Sequence, residues 1–382
     1  MRLLSRMSLP FALLGLALAG PAIASASADS HGDGAGHVYV NDNTAGTNTI
    51  AVFNRHADSS LTPAPGSPFS AGGAGAGTGL ASQGAIQLAD QGRYLLAVDA
   101  GSNQISVLRV DHDGTLDPVA GSPVSSGGVK PDSIAVHGNL VYVANSGVGG
   151  SNYTGFILAP WGHLYPLSRS TVTLPDGSAP GDVLFNNDGS KLVGTEVGTS
   201  VIDSFRVGWD GRLTAAPGSP FPAQGLGPFG SQFRPTSSNQ LFVSNAHNGT
   251  GLGTVSAFSD SANGTLSSIG SSPFADVQTA PCWLIISPDG RYLFAVNTGS
   301  GTISRYTIAP GGALTLLGST TVGSGSGIGA VDPGLTPDGR TLYVNESAAG
   351  AIGAFAVSGG NLTELATTPM PAGSKPAGIA VN

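Results

Sequence analysis

Residues 280–322 read "APCWLIISPDGRYLFAVNTGSGTISRYTIAPGGALTLLGSTTV", and within them lies one complete structural unit. "CWLIIS" and "RYLFAV" flank the turn "PDG". "TISRYTI" and "ALTLLGS" flank "APGG", and the loop "NTGSG" joins the two halves. Short apolar runs rich in β-branched and aromatic residues favour strand over helix. Asp-Gly between such runs marks a hairpin, because both turn positions must accept a positive φ. The stretch therefore predicts four antiparallel strands.

The same unit recurs along the chain. A leucine closes the second turn at Leu61, Leu116, Leu164, Leu213, Leu266, Leu314 and Leu362, at intervals of 48 to 55 residues. A Ser-Pro phrase follows at Ser67, Ser122, Ser219 and Ser272, and the doubled central gap marks a decayed copy. It is expected to end the fourth strand and lead into the next unit. Seven four-stranded units near 50 residues long predict an all-β, seven-bladed propeller. A β-solenoid is the alternative, but its coils are shorter and lack paired hairpins. No amphipathic helix is expected after residue 28. "HVYVN" (37–41) lacks a preceding strand and "KPAGIAVN" (375–382) lacks a following one, so the two ends are expected to complete one blade and close the ring.

Arg2, Arg6, the apolar run from Leu9 and the small residues "ASASA" predict a signal peptide over 1–28. A flexible leader is expected over 29–36 and a single propeller domain over 37–382. The protein is thus expected to be secreted and to have no membrane span. Loss of Arg2 and Arg6 with the signal peptide takes the formal charge from −8 to −10, which argues against general nucleic-acid binding. Cys282 is the only cysteine, so no internal disulfide can form. A monomer is expected.

"SPDGRYLFAVNTGSGTISRYTI", "TPDGRTLYVNESAAGAIGAFAV" and "KPAGIAV" resemble the lactonase family of seven-bladed propellers, which includes bacterial 6-phosphogluconolactonase and fungal carboxy-muconate cyclase. The resemblance spans residues 37–382 and implies hydrolysis of a lactone, or the related cyclisation, at the channel mouth. The family's Val-Asn-Glu is matched at Val344-Asn345-Glu346, which carries Glu346 over as a catalytic candidate. Its Pro-Arg-His is not matched: "QGAIQLA", "KPDSIAV", "APGDVLF", "GPFGSQF", "APCWLII", "AVDPGLT" and "KPAGIAV" hold neither His nor Arg. A phosphorylated sugar lactone is therefore not expected, since phosphate favours Arg or Lys contacts.

Two columns of the repeat are expected to face the channel. At the second-strand exits stand Asp42, Asp99, Asn145, Glu196, Asn245, Asn297 and Glu346, where Asx side chains also serve as turn formers. In the first strands stand Ser133, Asp182, Gly230, Trp283, Asp332 and Gly378, with Lys130 and Lys375 just before them. Asp182, Glu196 and Glu346 are the candidate acids and bases. Trp283, Lys130, Lys375, Asp332 and Asn297 are the candidate substrate contacts, suited to a lactone or a carboxylate. No cofactor or metal site is expected. Ca²⁺ is the one ion the acidic residues would suit, and "DHDG" (111–114) reads as a hairpin turn. A non-catalytic propeller binding an extracellular ligand, glycan or protein stands as the alternative.

Overall fold

A computed structural model describes residues 34–382; the expected signal peptide and residues 29–33 lie outside them. Residues 34–36 of the expected leader open the first strand, Gly34–Asn41. Among the described residues there is no helix, and the strands form seven antiparallel sheets. We number the blades 1 to 7 in chain order, beginning with the blade that contains Gly34–Asn41.

Five second-strand runs, such as Tyr94–Asp99, Leu140–Asn145 and Tyr292–Asn297, are buried along nearly their whole length. They read as continuous apolar runs because blades stack face to face and cover both sides of each sheet. The core is accordingly a ring of clusters, each shared by neighbouring blades. Tyr142 and Tyr153 of blade 3, for example, pack with Val183, Phe185, Leu192 and Phe205 of blade 4. Full burial of side chains of this size stabilises by about 1.5–3 kcal/mol each.

The first strands line the axis, and each neighbours the next around the ring. They are Ile86–Ala89, Pro131–His137, Pro180–Phe185, Pro228–Arg234, Pro281–Ile286 and Ala330–Leu335, with Ile379–Val381 supplying the innermost strand of blade 1. That last strand pairs Val38 with Val381, Tyr39 with Ala380 and Val40 with Ile379, as expected from the termini.

The Ser-Pro phrase does not end the outer strand; it interrupts it. In blade 2 the outer edge is made of Leu116–Pro118 and Val124–Ser125, both paired to the third strand. Between them the Ser122 hydroxyl accepts the Val107 N–H at 2.8 Å. Ser67, Ser219 and Ser272 accept Val52, Ser204 and Ala257 N–H in the same way, and all four Ser-Pro bonds are cis. Ser170 holds the same place in blade 3, accepting Gly155 N–H at 2.9 Å, so the decayed copy lost its proline and kept its hydroxyl. Blades 6 and 7, which lack the phrase, have unbroken outer strands, Leu314–Thr321 and Asn361–Pro369.

Candidate functional site

The second-strand exits form latches inside the blades. Asp99 accepts the Ser106 hydroxyl at 2.5 Å, and the amides of Asn245 and Asn297 donate to Ser256 and Ser304 at 2.8 and 2.9 Å. Each bond ties the end of the second strand to the third. Asn297 is fully buried in this role. In blade 1 the position belongs to Asn41, the last residue of its strand; Asp42 lies one residue beyond and holds Ser374 and Thr49.

The two glutamates occupy the same column in different company. A Cβ at Gly353 would lie 2.4 Å from Glu346 Oε1, so glycine makes room for the longer side chain. Glu196 instead faces a second carboxylate, Asp203, which also accepts the Tyr153 hydroxyl at 3.1 Å. Burial, reinforced by the Glu196 charge, raises Asp203 to about 7. Neither glutamate lines the channel cavity.

The first-strand column stitches adjacent blades together at the axis. Ser133 Oγ accepts Val183 N–H (3.1 Å) and donates to Asp182 (3.2 Å). Asp182 also accepts the Ser231 N–H (2.9 Å) and hydroxyl (2.7 Å). Above these contacts the segment Ser82-Gln83 crosses the ring. Gln83 donates from its main chain to Gly181 O (2.7 Å) and from its side chain to Ser231 O (2.9 Å), and accepts Leu284 N–H (2.9 Å). Ser82 donates its hydroxyl to Asp132 O and accepts the Trp283 indole N–H at 2.8 Å. Two residues of blade 2 thus engage blades 3, 4, 5 and 6, and close the channel where the first strands begin. The sequence predicts an open mouth at this end, and the Ser82-Gln83 bonds span it instead.

Beneath that closure lies a cavity of about 200 Å³, walled by Gln83, Gln87, Asp182, Gln232, Asp332 and neighbours from six blades. Asp182 and Asp332 are 2% and 4% exposed. Leu184, Gln232, Ile285, Leu335 and Val381 are half-buried, so solvent reaches the cavity toward the far ends of the first strands. Burial raises Asp182 to about 7 against the opposing pull of its three donors. Burial also raises Asp332 to about 7, offset in part by the Gly378 N–H. Their walls belong to blades 4 and 7, nearly opposite in a ring of seven.

Of the expected site residues, the cavity brings together Asp182 and Asp332. Trp283 is 4% exposed, packed edge-on against Phe229 at 5.0 Å with its N–H engaged by Ser82. Lys130 and Lys375 are exposed and line no part of the cavity. Arg234, the arginine at the end of a first strand, turns away and bonds Gly290 O, Ala309 O and Gln240. Sequence reasoning missed Gln83 and Asp132. The clue to Gln83 was available, since "SQGAIQLA" lacks the proline that introduces or begins the first strands of blades 1, 3, 4, 5 and 6. Asp132, buried beside the chosen Ser133 and raised to about 8 by that burial, had no distinguishing pattern. Among the described residues no three His, Cys, Asp or Glu side chains gather as metal ligands, and no helix is long and apolar enough to cross a membrane.

Residues 231–380 match the family model described as "Lactonase, 7-bladed beta-propeller". Over these residues the chain is similar to the lactonase family of seven-bladed propellers. A candidate 6-phosphogluconolactonase of Bacteroides uniformis superposes with a TM-score of 0.73 at 20% identity, covering 92% of this chain and 100% of that one. The periplasmic gluconolactonase of Pseudomonas aeruginosa gives 0.70 at 19% identity, covering 91% and 98%. A Lactobacillus plantarum protein gives 0.73 at 17%, covering 91% and 99%. At these identities the likeness is one of fold. A search of curated protein sequences returns no match.

Proposed function

We propose that this propeller is a secreted hydrolase of small, uncharged lactones, acting in the cavity beneath Gln83. The observation that carries the reading is a pair of carboxylates, each raised to about 7, on facing walls of one cavity. The lactonase-family match and the gluconolactonase-like neighbours support the reaction class.

The chemistry needs one group to take a proton and another to give one, both near neutral pH. Asp182 is the better base, because three donors stabilise its ionised form. It takes a proton from water as the water oxygen bonds to the lactone carbonyl carbon. Asp332, with fewer donors, is the better acid; it protonates the ring oxygen as the C–O bond breaks. The product is a neutral hydroxy acid, and the proton left on Asp182 passes through water to Asp332, which restores both groups. Gln87 and Gln232 on the wall supply amide donors for the carbonyl oxygen. The lining contains no Lys, Arg or His and two carboxylates, so it favours a neutral ring over a phosphorylated or carboxylated one.

The test is a panel of unphosphorylated γ- and δ-lactones with purified protein and with Asp182→Asn and Asp332→Asn. Each variant should lose roughly 10²–10⁴-fold in kcat while melting as a folded protein, and the parent should show a bell-shaped pH profile centred near 7. A parent inactive across the panel, or turnover unchanged in both variants, overturns the proposal.

A further inference from the structure

Two of the chain's three tryptophans, Trp161 and Trp209, are 65% and 101% exposed, although this residue type is highly buried on average. Both lie in the hairpin between third and fourth strands, in consecutive blades. In two other blades the position of Trp161 belongs to Asp113 and Asn263, whose side-chain oxygens accept Thr115 and Thr265 N–H at 3.1 Å and close the turn. An indole has no acceptor to offer. At this hairpin the repeat's local turn chemistry has been replaced by a large flat side chain facing water.

The indole does not project alone. Trp161 walls a cavity of about 460 Å³ with Tyr94, Arg109, Asp117, Pro118 and Val119 of blade 2. The Tyr94 hydroxyl donates to Pro160 O at 3.0 Å, and Gly162 sits so close to the Tyr94 ring that a Cβ would lie 2.5 Å from it. The hairpin bearing Trp161 is therefore seated on blade 2. In the same cavity, the Arg109 guanidinium bonds Asp117 at 2.6 Å, and it also bonds Asp111 at 3.1 Å. The site thus sets a flat apolar face beside a fixed array of donors and acceptors whose charges are mutually engaged.

We infer that this cavity binds a neutral, β-linked, gluco-configured oligosaccharide. A pyranose with all substituents equatorial presents a flat face of axial C–H groups that matches an indole. Its edge presents vicinal hydroxyls that both donate and accept, which matches a guanidinium–carboxylate array. The Arg109 guanidinium is already engaged by Asp117 and Asp111, so the cavity lining offers an anionic ligand no unpaired positive charge. A protein partner needs about 20–30 residues on each side, whereas this cavity is walled by seven. The site is separate from the axial cavity and shares no residue with it.

The experiment titrates cellohexaose and chitohexaose into the purified protein, reading intrinsic tryptophan fluorescence and heat. At least one should give a saturable blue shift. Trp161→Ala should weaken that binding tenfold or more, and Trp161→Tyr should retain part of it. Trp209→Ala, altering an indole that lines no part of this cavity, and Asp332→Asn should leave it unchanged. Trp161 is exposed, so the alanine variant should melt with the parent, separating lost binding from lost fold. Absence of saturable binding to either sugar up to about 10 mM, or undiminished binding by Trp161→Ala, overturns the inference. So does a Trp161-dependent retention on lipid vesicles without sugar binding.

Discussion

Deleting residues 375–382 removes eight residues and should unfold a domain of nearly 350. Lys375 and Ala377 N–H donate to the carbonyls of Asp42 and Asn41 at 2.8 and 2.9 Å. Asn382 N–H reaches His37 O at 3.1 Å, and its side-chain oxygen accepts His37 N–H at 2.6 Å. Between these anchors Ile379, Ala380 and Val381 pair with Val40, Tyr39 and Val38. At about 1 kcal/mol for each net hydrogen bond, these contacts contribute roughly 5 kcal/mol. Ile379 and Val381 are half-buried, because they also line the axial cavity, so their packing adds only about 1–3 kcal/mol together. The total rivals the 5–15 kcal/mol of typical domain stability. The loss also bares the edge of Gly34–Asn41 beside the channel. Circular dichroism melts and gel filtration should show aggregation, or a melting temperature lower by more than about 10 °C. A synthetic peptide of residues 375–382 should recover part of the loss, since the strand acts by pairing and not by connectivity. Deleting residues 29–33 should change little. A 375–382 deletion that stays monodisperse and melts within about 2 °C of the parent would refute the closure argument.

Stability should fall as pH rises from about 4 to 8. Asp132, Asp182, Asp203 and Asp332 are all raised from 3.8, to about 8, 7, 7 and 7, chiefly by burial. The folded state therefore holds protons that the unfolded chain has released. Their stabilising contribution is complete below the unfolded value and is lost as pH passes the folded values; denaturant midpoints higher at pH 8 than at pH 5 would contradict this. Asp203→Asn should stabilise the protein at pH 8 by about 1–3 kcal/mol, because an amide can donate to Glu196 where two carboxylates now repel. An unchanged or lower urea midpoint would show that the pair is not under strain.

The architecture was legible because a propeller repeats its local physics seven times. Asp-Gly hairpins, apolar runs and the unpaired terminal strands each point to one answer, and the pairing of Val40 with Ile379 confirms it. The Ser-Pro phrase was visible but misplaced. Its serine serves as a hydrogen-bond acceptor inside the outer edge, a role that depends on the third strand and not on local propensity. The site was less legible for a related reason. Position in a repeat predicts which blade end a residue occupies, but not which neighbour it meets. Asn297 and Glu196 share a column, yet one donates to a serine and the other confronts an aspartate. Nothing local to Asp182 or Asp332 announces that Gln83, about 100 and 250 residues away along the chain, closes the space above them.

These cases share a physical logic. A repeated blade must satisfy the same hydrogen bonds at every copy, so most of its polar residues are committed to holding the ring together. Departures from the repeat are where that commitment lapses. Blade 2 lacks the proline at its first strand and sends Gln83 across the axis instead. Blade 3 forgoes the Asx turn and exposes Trp161. Blade 4 replaces an amide–hydroxyl latch with the Glu196–Asp203 pair. The lining of the axial cavity follows the same rule from the other side: Asp182 and Asp332 stand in a column whose other members are Ser133, Gly230, Trp283 and Gly378. A carboxylate there costs burial energy that serine or glycine avoids, and serine alone would suffice to stitch neighbouring strands, as Ser133 does with Val183. Asp182 and Asp332 differ from Asp132 and Asp203, which burial also raises, in lining one cavity, and that placement is what the proposed hydrolysis would use.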